Sequence, residues 1–595
     1  MKTGEWCSID RNSRIGIGLQ MVFLLYVGLC AGGWRPLGGD GNLFLSLALS
    51  GLVGLVGVGV GIVSLRRKTG RTGWPDLKSG CVLFAGTVIY CGLWDFRPEI
   101  IRETCTYVLL FVLTVSWIAG KSGGRWLVKT MVGWAVVMSV YGLAQRCNLF
   151  VAPADMFPMK GTFDNPAGLA MFLAMSFPYV LAHGRNAWTK WGLVLLVGLA
   201  LVLTESRTGI LAALVAAYVC FYPKLPGKWR WLCPLLVCLL FVGLYFCKPR
   251  SAGGRLFVAY VTLHLIGENA LTGSGAFGFE TGYMPEQARY FSEHPFSMWI
   301  GVADNIAQPF NEYLHVLVRW GMVGMVGLLS VVWAVYRRFR LYRTAWKQTA
   351  WASLCAWAVC ACFSYPCYYP LLWVLLVVAL SVLYARVENE EQAGNGWQVW
   401  IVIGCACWIL FMSVVQFSRE QTRIGLEQRA ANGEDTAALR EAYEKLSHTD
   451  YFRTHPAFLF NHAVYLYESR QYIECLSVLE QYTAYRQDYD GQMLRAYALS
   501  YKGEKESAVE AFELASFMLP GRLQPRHEIM NLYEQMGCRD AALQCAQAAL
   551  ALPLKVENRR TLYLQRQFQN YILTHGVQNG TLPNIRRYND KKKGK

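Results

Sequence analysis

The chain has 595 residues, 54% of them hydrophobic and only 16% charged, and its 57 Lys and Arg against 40 Asp and Glu leave a formal net charge of +17. This composition and a positive mean hydropathy exclude an ordinary soluble multidomain protein and point to a membrane protein. The basic excess sits in short loops between apolar runs, where it reports membrane orientation, and this argues against nucleic acid as a partner. The 19 cysteines, among them Cys233, Cys238, Cys355 and Cys360, lack the CxxC spacing and His neighbours of a zinc site and read as small core residues.

Crossing a hydrocarbon core of about 30 Å takes roughly 20 helical residues. Thirteen runs qualify in chain order: Ile15 to Ala31, Leu43 to Leu65, Cys81 to Leu93, Thr106 to Ala119, Trp126 to Leu143, Ala167 to Leu181, Trp191 to Leu203, Ile210 to Tyr222, Trp231 to Phe246, Tyr313 to Tyr336, Ala350 to Tyr365, Tyr369 to Ala385 and Val399 to Phe417. The first is followed at once by further spans and has no small-residue cleavage site, so it reads as a retained helix. Lys and Arg cluster on alternate connections: Arg66 to Lys78, Lys121 and Arg125, Arg185 and Lys190, Lys224 to Arg230, and Arg337 to Lys347. That alternation places these loops and the N-terminus inside, and everything after Phe417 outside.

Four outward segments carry polar groups that are costly near a bilayer and are therefore functional candidates. In Lys160 to Ala170 (KGTFDNPAGLA), Asn165 and Pro166 lead into the sixth span, a pattern that also suits simple helix initiation. Glu205, Ser206 and Arg207 form a tight turn between two apolar helices. Arg255 opens an amphipathic stretch in which Leu256, Val261, Leu265 and Ile266 recur at helical spacing, as in a helix lying at the membrane surface; Gly273, Gly275 and Gly278 follow. Asn311, Glu312 and His315 then lead the tenth span. Arg guanidinium groups bind phosphate oxygens bidentately and stay charged, so this set suits an anionic, phosphate-bearing substrate with no metal and no cofactor. The one DxD-like triplet, Asp488 to Asp490, reads as a solvated turn in the C-terminal part.

After Phe417 the chain turns to charged, helix-forming residues. Tyr501 to Pro520 echoes Tyr533 to Pro553, with Gly503 placed 34 residues before Gly537 and a weaker copy around Tyr465 to Tyr482. This period resembles tetratricopeptide repeats, which stack helix pairs into a surface for a protein partner. The expected organisation is all-α: a polytopic membrane bundle over 1–417 containing a core at 160–329 and an outward loop at 248–308, a helical-repeat domain over 418–580, and a basic tail over 581–595.

The stretches GTFDNPAGLAMFLAMSFP, ESRTGILAAL, GGRLFVAYVTLHLIGENALTGSGAFGFETGYMPEQARYF and FNEYLHVLVRWGMVGMVGLL, in this order, resemble the blocks of the O-antigen ligase-like superfamily of ligases, polymerases and protein O-oligosaccharyltransferases. The resemblance implies inverting transfer of a glycan from an undecaprenyl-pyrophosphate carrier to a hydroxyl of a lipid, glycan or protein acceptor, on the periplasmic face of a bacterial inner membrane. It implies pyrophosphate binding by Arg207 and Arg255. The family usually carries a general-base His immediately before the Asn of the fourth block, and here that position is Phe310. The departure leaves three alternatives: substitution by His294, Glu312 or His315, action by electrostatic stabilisation alone, or loss of activity. Ligation, polymerisation and transfer to protein stay open, and a glycan transporter or a non-catalytic envelope scaffold is the competing reading.

Overall fold

The computed structural model describes residues 20, 41–66, 97–118, 123–149, 157–183, 186–247, 249–385, 397–434, 436–553 and 558–575. Among them every regular element is helical. In chain order these are α1 (Gly41–Arg66), α2 (Pro98–Ile118), α3 (Gly123–Arg146), α4 (Pro166–Ala182), α5 (Ala187–Leu203), α6 (Arg207–Phe221), α7 (Gly227–Cys247), α8 (Pro249–Ile266), α9 (Gly278–Glu293), α10 (Glu312–Leu341), α11 (Ala345–Phe363), α12 (Pro370–Tyr384) and α13 (Trp397–Ala431). The remainder are α14 (Ala437–Ser447), α15 (Asp450–Arg453), α16 (Pro456–Glu468), α17 (Tyr472–Thr483), α18 (Tyr489–Lys502), α19 (Lys505–Met518), α20 (Gln524–Gln535), α21 (Arg539–Ala551) and α22 (Arg559–His575). Five described helices are long and apolar enough to cross a membrane: Asn42–Ile62, Pro98–Ile118, Gly124–Arg146, Glu312–Leu341 and Val399–Ala431. Pro166–Ala182, Ala187–Leu203, Ser251–Ile266 and Pro370–Tyr384 are shorter apolar helices. The expected span at 15–31 apart from Gln20, the one at 81–93 and the basic tail at 581–595 lie outside the described residues, as do Lys121 and Arg185.

The chain divides into two compact units, Met1–Lys248 with Phe310–Gly425, and Pro249–Pro309 with Leu426–Lys595. The first is built on one large apolar core in which α6 lies against α4 and α11. Small residues let its helices approach closely, the packing that apolar surroundings favour. A side chain at Gly57 would meet Ala406 and Leu109, and one at Gly54 would meet Leu410, so these positions seat α1 against α13 and α2. Helix α2 begins at Pro98, ahead of the Thr106 expected from hydropathy, because its first two turns carry charges that a hydropathy window rejects.

The second unit joins the 249–309 segment to the C-terminal helices. Gln287 of α9 is fully buried; its amide nitrogen, Nε2, donates to Met518 O at 2.6 Å and Asp304 O at 3.3 Å, and its Oε1 accepts from Tyr283 at 2.9 Å. Gln487 N donates to Glu280 O at 3.0 Å, and Phe277 meets Tyr485 edge to face. On α8 the buried stripe is Phe257, Val258, Val261 and Thr262, while Leu256 is 51% exposed. The apolar face expected from Leu256, Val261, Leu265 and Ile266 is thus rotated, because Phe257 packs on Tyr290, Phe291 and Trp299. The Asp488 to Asp490 triplet is not a solvated turn. Asp488 is buried, caps α18 by accepting from Gly491 N and pairs with Arg486 at 2.8 Å, while Asp490 accepts from Asn305.

Helices α16 to α21 follow one another as neighbouring pairs, and α22 packs on α21. The turn residues Arg470, Gly503 and Gly537 all have positive φ, at 61°, 97° and 76°. Glycine takes this left-handed conformation without a Cβ clash. Arg470 takes it with one, at the place that precedes Gly503 by nearly the same interval that separates Gly503 from Gly537. The turn inside Tyr465 to Tyr482 therefore shares the left-handed geometry of the turns at Gly503 and Gly537 although it lacks the glycine.

His462 of α16 is stacked on Tyr443 at 4.9 Å, and burial pushes its pKa down to about 4. A His held neutral by burial contributes stability that is complete above its unfolded pKa of about 6.5 and is lost as pH falls toward 4, amounting to about 3 kcal/mol. Denaturation of the full-length protein between pH 7 and 4 is expected to show this loss in the wild type and a shallower one in His462→Phe; identical slopes would contradict it. Gln287→Leu strands the Met518 carbonyl and the Tyr283 hydroxyl and is expected to destabilise the second unit by about 1–3 kcal/mol, measured as earlier proteolysis of the C-terminal helices.

Candidate functional site

Several helices of the first unit begin at one end of it, and the turn Ser364 to Pro370 ties them together. Asn165 is the N-cap of α4: its Oδ1 accepts from Gly168 N at 3.1 Å, and its Nδ2 donates to the hydroxyls of Tyr365 at 2.7 Å and Tyr369 at 3.0 Å. The Tyr369 hydroxyl in turn donates to Asp164 Oδ1 at 2.6 Å. Asn165 thus serves helix initiation and also binds α4 to the start of α12. Asn311 caps α10 by accepting from Leu314 N at 3.0 Å and donates to Cys362 O at 3.0 Å, which joins α10 to the end of α11.

Glu312, the first residue of α10, is buried; its Oε1 accepts from Cys367 N at 2.9 Å, and its Oε2 lies 3.6 Å from His315 Nδ1. The two lie one helical turn apart, so the carboxylate and the imidazole share one face of α10 at ion-pair distance. The rings of Phe310, Tyr365, Tyr368 and Tyr369 pack edge to face or stacked around this turn.

Arg207 starts α6, behind the N-cap Ser206, and is half-buried. A Cβ on Gly209 would collide with Ala170 of α4, so only a glycine there lets the first turn of α6 lie against the first turns of α4. The Arg207 turn therefore sits at the same end as Asn165. Backbone strain marks this end too: Glu205 and Phe310, neither a glycine, have φ of 54° and 53°. Such conformations persist where surrounding structure enforces them, and they concentrate at functional turns.

Arg255 and His294 belong to the second unit. Arg255 is half-buried on α8. His294 ends α9, is exposed, stacks on Tyr290 at 4.6 Å and has Nδ1 3.0 Å from Tyr290 O.

Sequence reasoning passed over Asp164, Tyr365, Cys367 and Tyr369, although the run SYPCYYP carried a signal: two prolines and three tyrosines between apolar helices mark a turn at a membrane interface. It also passed over Arg102, which hydropathy had left outside its span. Arg102 is 1% exposed. Its guanidinium donates to Gln416 Oε1 at 2.9 Å, Ser46 O at 3.3 Å, Ser46 Oγ at 3.1 Å and Ser50 Oγ.

Residues 192–329 match the family model described as O-antigen ligase. The matched segment contains Arg207, Arg255, His294, Asn311, Glu312 and His315 and leaves Asn165 outside. No curated protein matches the chain. The match and the apolar helices support a bacterial membrane protein of the glycosyl-transferring kind.

Replacing Asn165 by Ala removes an N-cap and leaves two tyrosine hydroxyls without their amide donor. The expected cost is about 1–2 kcal/mol from the cap alone, read as a lowered unfolding temperature of the full-length protein in detergent, with Asn165→Asp recovering the cap but not the tyrosine bonds.

Proposed function

We propose that this protein transfers a glycan from a polyprenyl-pyrophosphate carrier, with undecaprenyl as the lipid, to a hydroxyl acceptor on the periplasmic face of the inner membrane. The observation that carries this reading is the O-antigen ligase match over 192–329, which includes both candidate phosphate-binding arginines. The helix starts gathered around the 364–370 turn add support. The first amides of a helix lack intrahelical partners and carry partial positive charge, so several helix N-termini beside Arg207 favour an anion.

In this reading Arg207 and Arg255 hold the pyrophosphate. The acceptor hydroxyl oxygen attacks the anomeric carbon from the opposite face, the bond from that carbon to the pyrophosphate oxygen breaks, and the lipid pyrophosphate leaves with the electron pair and inverts the centre. The arginines stabilise the charge that develops on the departing oxygen. The hydroxyl proton passes to a base, for which Glu312, His315 and His294 are the candidates, since Phe310 supplies no basic group. Asn165 and Asn311 act as supporting residues that hold the helix starts in place.

The fuller architecture belongs to the same proposal: thirteen spans, a cytoplasmic N-terminus, and a periplasmic C-terminal domain of tetratricopeptide-like repeats at 418–580 that selects an acceptor or binds an envelope protein. The recurring left-handed turn at Arg470, Gly503 and Gly537 supports the repeat reading.

The decisive experiment is surface-glycan electrophoresis of a deletion strain carrying the native gene or the Arg207→Ala, Arg255→Ala double variant at equal membrane abundance. Loss of one group that stabilises developing charge costs roughly 10²–10³ in rate, so the double variant is expected to abolish the glycan bands. Collapse of a ladder to a single-repeat band would indicate polymerisation, loss of all glycan from the acceptor would indicate ligation or transfer to protein, and full rescue by the double variant would sink catalysis in favour of a scaffold or transporter. His315→Ala is expected to slow transfer by roughly 10²–10⁴ if the imidazole is the base.

A further inference from the structure

A cavity of about 220 Å³ opens beside the 364–370 turn, within the first unit, lined by Asn42, Glu103, Tyr107, Cys367, Tyr368 and Trp373 among others. Cys367 connects it to the site above, since its amide donates to Glu312. At ~30 Å³ per water the space equals about seven waters, too little for a drug-sized ligand of several hundred Å³ and enough for one substituted six-membered ring.

The lining is chemically specific. Tyr107 and Trp373 stack on each other at 5.3 Å and 25°, and Tyr368 adds a third aromatic wall. Aromatic faces attract the weakly positive C–H edges of a sugar ring. Glu103 supplies a carboxylate whose side chain is 43% exposed, beside an Arg102 that is 1% exposed. Its Oε1 accepts from Ser46 Oγ and, at 3.4 Å, from Arg102 Nη2. These bonds fix the carboxylate while leaving Oε2 to accept from ligand hydroxyls. Arg102 itself is held by Ser46, Ser50 and Gln416, from α1 and α13. An arginine sunk at the start of an apolar helix is expensive and marks function in membrane segments; here Arg102 and Ser46 hold the Glu103 carboxylate at the cavity wall.

From this geometry we infer that the cavity is a saccharide subsite, binding a single neutral pyranose with Glu103 as hydroxyl acceptor and Tyr107, Trp373 and Tyr368 as the ring platform. The choice of a sugar rests on the transfer reading above; the cavity, its aromatic wall and its anchored carboxylate do not.

The test is saturation-transfer NMR on the full-length protein in nanodiscs, with glucose, galactose and N-acetylglucosamine as free probes. At least one is expected to receive saturation from the wild type, to lose it in Asn42→Trp, which puts a large side chain into the lining and replaces none of the residues that hold Arg102, and to bind about tenfold more weakly to Glu103→Gln. Equal saturation in wild type and Asn42→Trp, or none for any probe in the wild type, overturns the assignment. Because binding is read without turnover, the two ideas fail separately. Cavity-dependent binding by a protein whose Arg207→Ala, Arg255→Ala variant still supports glycan bands would sink transfer alone, and absent binding with arginine-dependent bands would sink the subsite alone.

Discussion

Asn165 makes three hydrogen bonds, to Gly168 N, Tyr365 and Tyr369, and much of the candidate site depends on them. A helix that starts among apolar neighbours cannot leave its first amides to water, so side chains must satisfy them. Asn165 does this for α4 and Asn311 for α10, and each spends its remaining donor on a different helix. Capping and inter-helix register are thereby the same set of bonds. The aromatic turn at 364–370 sits between them because its tyrosine hydroxyls and the Cys367 amide are the partners that the Asn165 amide and the Glu312 carboxylate require.

The same economy operates at Arg102. A buried guanidinium stays charged and has five donors to place. Ser46, Ser50 and Gln416 accept from it, with Glu103 alongside, so α1, α2 and α13 are joined by a polar node inside an otherwise apolar contact where Gly54 and Gly57 bring the backbones close. Such a node costs desolvation energy that an apolar contact of the same shape would not, and its return is specificity of geometry at the wall of the cavity.

In the second unit, Gln287 plays the corresponding part. Its two donor bonds and one acceptor bond make the 249–309 segment and α19 a common packing unit. A segment that composition presents as a loop between spans is, by its contacts, continuous with the C-terminal helices. Arg255 and His294 are carried by this unit and Arg207, Glu312 and His315 by the other.

The helical class, the apolar spans that are described, the start of α10 at Asn311 and Glu312, and the turn ahead of Arg207 were legible in the sequence, because each is a local matter: a run of apolar residues, a capping Asn, a Ser before a helix. The 34-residue interval was legible too, as a period shared by Gly503 and Gly537, although Arg470 at the third turn hid its left-handed backbone behind an ordinary side chain. What only the tertiary structure decided is which distant residues share a hydrogen bond. No spacing rule links Asn165 to Tyr369, Glu312 to Cys367, Arg102 to Gln416 or Gln287 to Met518, since their separations reflect how helices return to one end of a bundle. Asp488 shows the same limit, for it reads as a polar turn by composition and becomes a buried cap once Arg486 pairs with it. Sequence determines the periodicity and the polarity of each segment; the partners of its polar groups are set by the packing that brings the segments together.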